Sequence, residues 1–299
     1  MENDVRLLTP EEVSALTEGV ELNLSEFSLF LSVAQCKPAY EAMLSIIMDE
    51  QELQLTEVKV EQVILNEKGK RGIRLDAWAK DTKERQYATE MQNDIKKDDV
   101  KKRSRYYQAL LDSPILKAGK NTKYKQLPST FVIFITQDDI WELDRAMYTF
   151  TEKCKEVPEL ELEDGTQKIF LNMSSKNGRP ELVSLLQYMK KTNLQNPEII
   201  VQDERIRKLD EIVNEVKQSE EWEAVRMSIL EIGIEKGIEK GIMVRDISLI
   251  RKNMAKGLSA YDIAQFLDMD VKEMDVIFDV LQKNPDISDL EIEKMIKKE

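Results

Sequence analysis

Residues 71–92 constrain the fold of this chain more than any other segment, because they have the pattern of a β-hairpin. Apolar and polar side chains alternate in the first arm, which predicts two faces of a strand: Ile73, Leu75, Ala77 and Ala79 on one, and Arg74, Asp76 and Trp78 on the other. The link at residues 80–85 is wholly polar, and the second arm ends in Glu90, Met91 and Gln92. Asp76, Glu90 and Gln92 are therefore predicted to share one end of a small sheet.

Two carboxylates held close together on strands suit a hard cation that prefers oxygen ligands, such as Mg²⁺. Such an ion assists phosphodiester hydrolysis, because it activates a bound water and offsets the charge that builds on the phosphate. The chain contains no histidine, which excludes Ser-His-Asp and Cys-His catalysis and the HExxH type of zinc site. Hydrolytic chemistry here must therefore use carboxylates, lysine, tyrosine or a metal-bound water.

Three segments in order, IRLDAWAKD, YATEMQND and KKRSRYYQALL, resemble the PD-(D/E)XK family transposases, also called recombination-promoting nucleases. The resemblance covers roughly residues 24–189 and includes the arrangement Asp76-x13-Glu90-x-Gln92. It implies an α/β fold with a PD-(D/E)XK (restriction-endonuclease-like) core sheet flanked by helices. It also implies a Mg²⁺-dependent DNA endonuclease of low sequence specificity, with Mn²⁺ as a substitute cofactor.

Carried over residue by residue, the resemblance implies that Asp76 and Glu90 hold the metal ion and that the backbone carbonyl of Met91 is a further ligand. Glu41 falls where related enzymes place another acidic metal-site residue, although Pro38 disturbs the local pattern. A solvated helix glutamate is an equally good interpretation of Glu41.

The third motif position is Gln92, as in the resembled family, whereas related enzymes usually carry a lysine there. Glutamine can position a water but brings no positive charge, so Lys96 or Arg103 is expected to supply it. The predicted DNA-binding residues are Arg103, Lys96, Lys97, Tyr106 and Tyr107. Arg103 would grip a phosphate, and a tyrosine would stack or donate a hydrogen bond.

Charge and local packing offer a second interpretation of the same residues. The net charge of −13 is unusual for a DNA-binding protein. The lysines could form a solvated helix face, and the arginine could pair with a nearby acid. The alternative to an active nuclease is therefore a catalytically weak or inactive member that binds DNA or protein, or an oligomeric interaction protein.

The order of elements is predicted as α-β-β-β-α-β-β followed by helices only. The predicted strands are residues 55–65, 72–79, 86–92, 131–135 and 168–172, with helices at 27–48, interrupted at Pro38, and at 98–111. Four regions are predicted: a leader (1–22), a nuclease-like domain (23–195), a long charged helix (196–246) and a helix-turn-helix-like tail (247–299).

The long helix, predicted over residues 203–247 with possible breaks at its glycines, contains the repeat GIEKGIEKGI. Each of Gly233, Gly237 and Gly241 costs a helix ~1 kcal/mol relative to alanine. Glycine at every fourth position would let another helix approach, which indicates a homo-oligomer or interdomain contact. The other interpretation is a soft linker.

The tail has a helix-turn-helix rhythm, with predicted caps at Ser259 and Asp270. Its third helix is acidic, which opposes insertion into a DNA groove and favours a protein-contact module. No apolar run approaches the ~18–20 residues that span a bilayer, so no membrane partner is predicted. Two cysteines are too few for a disulfide framework, and a cytoplasmic location is expected.

Overall fold

The computed structural model describes residues 20–66, 68–93, 98–116 and 122–296. The chain divides into two compact units, one formed by Val20–Glu223 and the other containing Ala224–Glu299. Each unit has its own hydrophobic core. The predicted class, an α/β core sheet with flanking helices and a helical C-terminal region, is confirmed.

A mixed sheet of six strands forms the centre of the first unit, in the order β1-β2-β3-β4-β6-β5. The strands are β1 (Leu55–Ile64), β2 (Ile73–Asp81), β3 (Gln86–Gln92), β4 (Thr130–Thr136), β5 (Met147–Phe150) and β6 (Thr166–Asn172). Strands β1, β2 and β3 are antiparallel neighbours, whereas β3, β4 and β6 run parallel. The predicted order lacked β5, a short edge strand of four residues.

Helices cover both faces of this sheet and continue beyond it. They are α1 (Phe27–Ala34), α2 (Lys37–Ile47), α3 (Val100–Asp112), α4 (Pro180–Lys190), α5 (Glu204–Lys217), α6 (Glu220–Met254), α7 (Ala260–Leu267), α8 (Val271–Lys283) and α9 (Asp289–Ile296). Pro38 causes the predicted break between α1 and α2. It lies in the first turn of α2, where its missing N–H removes no bond within the helix.

Strand β4 shows how the sheet separates two cores. Every residue of β4 is buried, as its continuous apolar run predicts. Phe131 and Ile133 point into the large core, which is completed by α1, α2, α4 and α5. Val132 and Phe134 point into the small core, which is completed by α3.

The prediction that the four apolar residues of the first hairpin arm share one face is wrong. Ile73 and Leu75 pack in the small core, but Ala77 and Ala79 pack in the large core. Strand β2 therefore exchanges faces at Asp76, although its burial alternates without interruption. The sequence alternation predicted which residues are buried, but not the core that each one enters.

Strand β1 exchanges faces at the same level. Val60 packs against the large core and Ile64 against the small core. Between them, at the level of Asp76, Glu61 has a positive φ of +49°. A left-handed residue interrupts the alternation of an extended strand, so side chains beyond it point to the other face. The conformation of Glu61 thus accounts for the face exchange of β1, at the level where β2 exchanges faces beside it.

The long helix predicted over residues 203–247 is in fact two helices. The break lies between α5 and α6, at Gln218 and Ser219, and not at the glycines. The Ser219 hydroxyl accepts a hydrogen bond from the N–H of Trp222 at 3.1 Å, which caps the start of α6. Helix α5 packs in the large core of the first unit.

In the second unit, the end of α6 packs with α7, α8 and α9. Ser259 and Asp262, the predicted start of α7, form a capping box. Asp270 was predicted to form a capping box with Glu273, and it caps α8 by accepting hydrogen bonds from the N–H groups of Lys272 and Glu273. Helix α9 was not predicted. No helix within the described ranges is long and apolar enough to cross a membrane.

The backbone at Glu61 gives a test of the face exchange. The Glu61 side chain is 50% exposed, so its replacement removes no core contact. A left-handed conformation costs a side chain bearing Cβ roughly 1–2 kcal/mol, and a β-branched residue tolerates it worst. We expect Glu61→Gly to leave the free energy of unfolding within about 0.5 kcal/mol, and Glu61→Val to lower it by roughly 1–2 kcal/mol.

Urea unfolding of the two variants checks this expectation. Gln62→Val is the matched control, because Gln62 is the next residue of β1 and is not among the residues with positive φ. A Glu61→Val protein as stable as Gln62→Val would contradict the assigned role of Glu61.

Candidate functional site

The β2–β3 hairpin brings Asp76 and Glu90 together across adjacent strands. Ala77 pairs with Thr89 in the antiparallel register, which places Asp76 opposite Glu90. The backbone N–H of Asp76 donates to Glu90 Oε1 at 3.0 Å, and the N–H of Met91 donates to Asp76 Oδ2 at 2.8 Å. Each carboxylate is therefore held by the backbone of the opposite strand.

Burial determines the electrostatics of this pair. Glu90 is fully buried, at 0% exposure, and Asp76 is partly buried. Burial raises the pKa of Glu90, and the neighbouring charge of Asp76 raises it further. Burial also raises the pKa of Asp76, against the hydrogen bond from Met91 and the positive charge of Arg103. Two buried carboxylates that resist ionisation side by side favour the approach of a cation.

Helix α3 supplies the positive charge next to this pair. Arg103 Nη1 donates to Gln92 Oε1 at 2.7 Å, and Arg103 Nη2 forms an ion pair with Glu90 Oε2. The guanidinium also lies 5.4 Å from the centre of the Phe134 ring, so its position is fixed by packing as well as by charge. A single arginine thus links the second and third motif positions.

Tyr107, one turn further along α3, completes the arrangement. Arg103 Nε donates to the Tyr107 hydroxyl at 2.9 Å, and that hydroxyl donates to Glu90 Oε2 at 3.2 Å. Burial and the charge of Glu90 raise the pKa of Tyr107 to about 12, so the hydroxyl remains a donor. Asp99 caps α3 by accepting from the N–H of Lys102 at 3.1 Å.

A buried tyrosine on the opposite side of the hairpin was missed by sequence reasoning. The Tyr40 hydroxyl donates to Thr89 Oγ1 at 2.7 Å, and Thr89 directly precedes Glu90. Burial raises the pKa of Tyr40, with Glu90 and Asp76 among the further causes. No local pattern predicts this contact, because Tyr40 lies 49 residues from Thr89 in the chain.

Two candidates from the sequence lie elsewhere. Tyr106 donates to the carbonyl oxygen of Arg71 and accepts from Asn66 at 3.0 Å, so it fixes the turn between β1 and β2. Glu41 accepts from the N–H of Leu55 at 2.8 Å, at the start of β1. In the sheet Leu55 pairs with Asp81, at the far end of β2 from the site.

The remaining candidates are limited by what the structure describes. Lys96 and Lys97 lie outside the described residues. Among the side chains that are described, no group of three or more Asp, Glu or Cys residues could hold a metal ion. Among the described residues, Asp76 and Glu90 are the carboxylates that the hairpin brings together.

The raised pKa values predict how stability depends on pH in the absence of metal. A carboxyl group whose pKa is higher in the folded state destabilises the fold progressively as pH rises from its unfolded pKa, about 4, through its folded pKa. Asp76→Asn removes one charge of the pair and keeps an acceptor for the Met91 N–H. We expect this variant to be more stable than wild type by about 1 kcal/mol at pH 8, with a smaller difference at pH 5.

Thermal melting in EDTA at the two pH values measures this difference. Asp139→Asn is a suitable comparison, because hydrogen bonds hold the pKa of Asp139 below its ordinary value despite partial burial. It is expected to lose stability at pH 8. An Asp76→Asn protein that is also less stable at pH 8 would exclude the assigned repulsion between Asp76 and Glu90.

The sequence that forms this site matches a known protein family. A family model described as PD-(D/E)XK nuclease family transposase matches residues 26–231, which is more than half of the chain. The matched region contains the β2–β3 hairpin, the two carboxylates and α3. No curated protein and no solved structure matches the chain. The chain belongs to the PD-(D/E)XK nuclease family transposases.

Proposed function

We propose that this protein is a metal-dependent DNA endonuclease of the recombination-promoting type that hydrolyses phosphodiesters with low sequence specificity. The observation that carries the proposal is the buried pair Asp76 and Glu90, held across the hairpin and linked to Gln92 through Arg103. Family membership supports a nuclease.

The donor set fits a divalent cation. Asp76 and Glu90 offer two buried carboxylates whose mutual repulsion a cation would relieve, and hard oxygen ligands suit Mg²⁺, with Mn²⁺ as a substitute. The carbonyl of Met91 is proposed as a further ligand. When bound, the ion supplies a water of lowered pKa and positive charge next to the scissile phosphate.

Arg103 is proposed to replace the lysine that the third motif position lacks. Its guanidinium already bonds to Gln92 and Glu90, so positive charge reaches the site from α3 instead of from β3. Because Gln92 Oε1 accepts from Arg103, the orientation of the Gln92 amide is fixed, and its NH₂ group is the part that would position a water. Tyr107 holds the guanidinium in this place.

A second candidate function has its own supporting observation. Arg103 forms its ion pair with the same glutamate that would bind the metal. An arginine in this position can occupy the charge of Glu90 permanently and so compete with a metal ion, which would give a catalytically inactive member that binds DNA or protein. Metal-dependent cleavage distinguishes the two functions.

Nicking of supercoiled plasmid tests the proposal. With Mg²⁺ or Mn²⁺ present, wild type should nick, and Asp76→Asn and Glu90→Gln should each lose at least about 100-fold in rate, because each removes a charged ligand. Glu41→Gln is the control, since Glu41 bonds to the N–H of Leu55 instead. It should keep activity within about twofold of wild type.

Two outcomes of this assay would contradict the proposed endonuclease. No nicking by folded wild type with either metal would favour the inactive, binding member. Nicking that survives both Asp76→Asn and Glu90→Gln would place catalysis at another site.

Homo-oligomerisation through the long helix remains a proposal. Helix α6 runs unbroken through Gly233, Gly237 and Gly241, and a Cβ added at any of the three would meet no described atom within 4 Å. Open space at all three glycines is compatible with a close approach by a second copy of the chain.

Substitution at the middle glycine tests this contact. Gly237→Leu should reduce association, because its side chain would hold a partner helix away, whereas Gly237→Ala should change it little. Sedimentation equilibrium measures the mass of each protein. If Gly237→Leu keeps the oligomeric mass of wild type, the glycines are not the contact.

A further inference from the structure

An open groove of about 540 Å³ lies beside β2 and β3, outside the residues assigned above to catalysis. Trp78, Lys80 and Gln86 line it from the hairpin. Lys125 and Pro128 line it from the segment that precedes β4. Glu84 also lines it, so the groove combines an aromatic ring with two lysines and one carboxylate.

The groove and the carboxylate pair share strand β2. Asp76, Trp78 and Lys80 occupy alternate, partly exposed positions of this strand. Trp78 packs against the small core, on the same face of the sheet as Tyr107. At a rise of about 3.3 Å per residue, Trp78 lies roughly 7 Å along the strand from Asp76.

The Trp78 ring is held in a fixed position. Its Nε1 donates to Gln86 Oε1 at 3.0 Å, and Lys59 Nζ lies 5.2 Å from the ring centre. A ring fixed in this way loses little freedom when another flat group stacks on it, because its orientation is already determined.

The charges around the groove favour an anionic occupant. Lys59 pairs with Glu57 at 2.7 Å, and the partly buried Lys80 pairs with the exposed Glu84 at 3.2 Å. Ion pairs that are open to solvent contribute little, so both lysines can exchange these partners for a phosphate. Lys125 is exposed. Next to it, Tyr124 is 85% exposed and adds a second aromatic ring to the same segment.

Aromatic rings interleaved with lysines are the surface that single-stranded nucleic acid requires, because every base has a face that can stack and every phosphate a charge. We propose that this groove binds an unpaired nucleotide of the DNA substrate, with its base stacked on Trp78 and neighbouring phosphates against Lys80 and Lys125. The inference rests on the proposed function and specifies its substrate. DNA that is single-stranded next to the cleavage site is bound in preference to continuous duplex.

Binding measured without metal tests the groove apart from catalysis. Fluorescence anisotropy in EDTA, at fixed salt, compares a labelled oligothymidylate with a duplex of the same length. Trp78→Ala should weaken single-strand binding about tenfold and change duplex binding less than about twofold. Trp78→Phe should restore most of the single-strand affinity, since phenylalanine retains a stacking ring.

Two further variants control for folding and for general charge. Trp141→Ala removes a partly buried tryptophan that packs against the same core but does not line the groove, and it should keep single-strand affinity. Lys125→Glu reverses an exposed charge without loss of core packing, and it should weaken single-strand binding about fivefold or more.

The outcomes separate this inference from the proposed function. Unchanged single-strand binding in Trp78→Ala and Lys125→Glu, or wild type that binds no single strand, overturns the groove as a nucleotide site. Equal losses for single strand and duplex in Trp78→Ala also overturn it, since stacking on an unpaired base would not affect both. Trp78→Ala could lose affinity for single strands only, while the wild type nicks no plasmid. That result would support the groove as a nucleotide site and reject only the endonuclease.

Discussion

The site depends on two buried carboxylates that are held beside each other against their own repulsion. Asp76 and Glu90 each accept a hydrogen bond from the backbone of the opposite strand, so the hairpin ladder itself positions them. Arg103 offsets part of the negative charge from α3. Because burial raises the pKa of both groups, the pair is costly for a metal-free fold. That cost supports the proposal that the pair binds a cation.

Elements from distant parts of the chain maintain this geometry. The left-handed residue Glu61 changes the face of β1 at the level of Asp76. Tyr40 supports the hairpin from the large core through Thr89, while Tyr107 supports Arg103 from the small core. Side chains on both faces of the sheet therefore support the hairpin. Substitution of either tyrosine should alter the distance between the carboxylates.

The positive charge next to the carboxylate pair comes from a helix and not from the hairpin. Gln92 brings no positive charge to β3, and Arg103 brings one from a helix. Beyond the site, Trp78 and Lys125 place an aromatic ring and a cation along the same side of the hairpin. The proposed binding of DNA by a protein whose net charge is −13 would depend on a local arrangement of this kind.

The sequence by itself determined the hairpin, the buried β4 strand, the N-terminal caps of α7 and α8 and the pair Asp76 and Glu90. All of these follow from local periodicity or from a motif within a few residues. Only the tertiary structure decided that Tyr107, and not Tyr106, contacts Glu90, and that Glu41 bonds at the start of β1. Adjacent residues on a helix differ by about 100° in direction, and the packing of α3 selects between them. The face exchange at Asp76 was likewise hidden, because a residue buried on either face of a sheet gives the same alternation in the sequence.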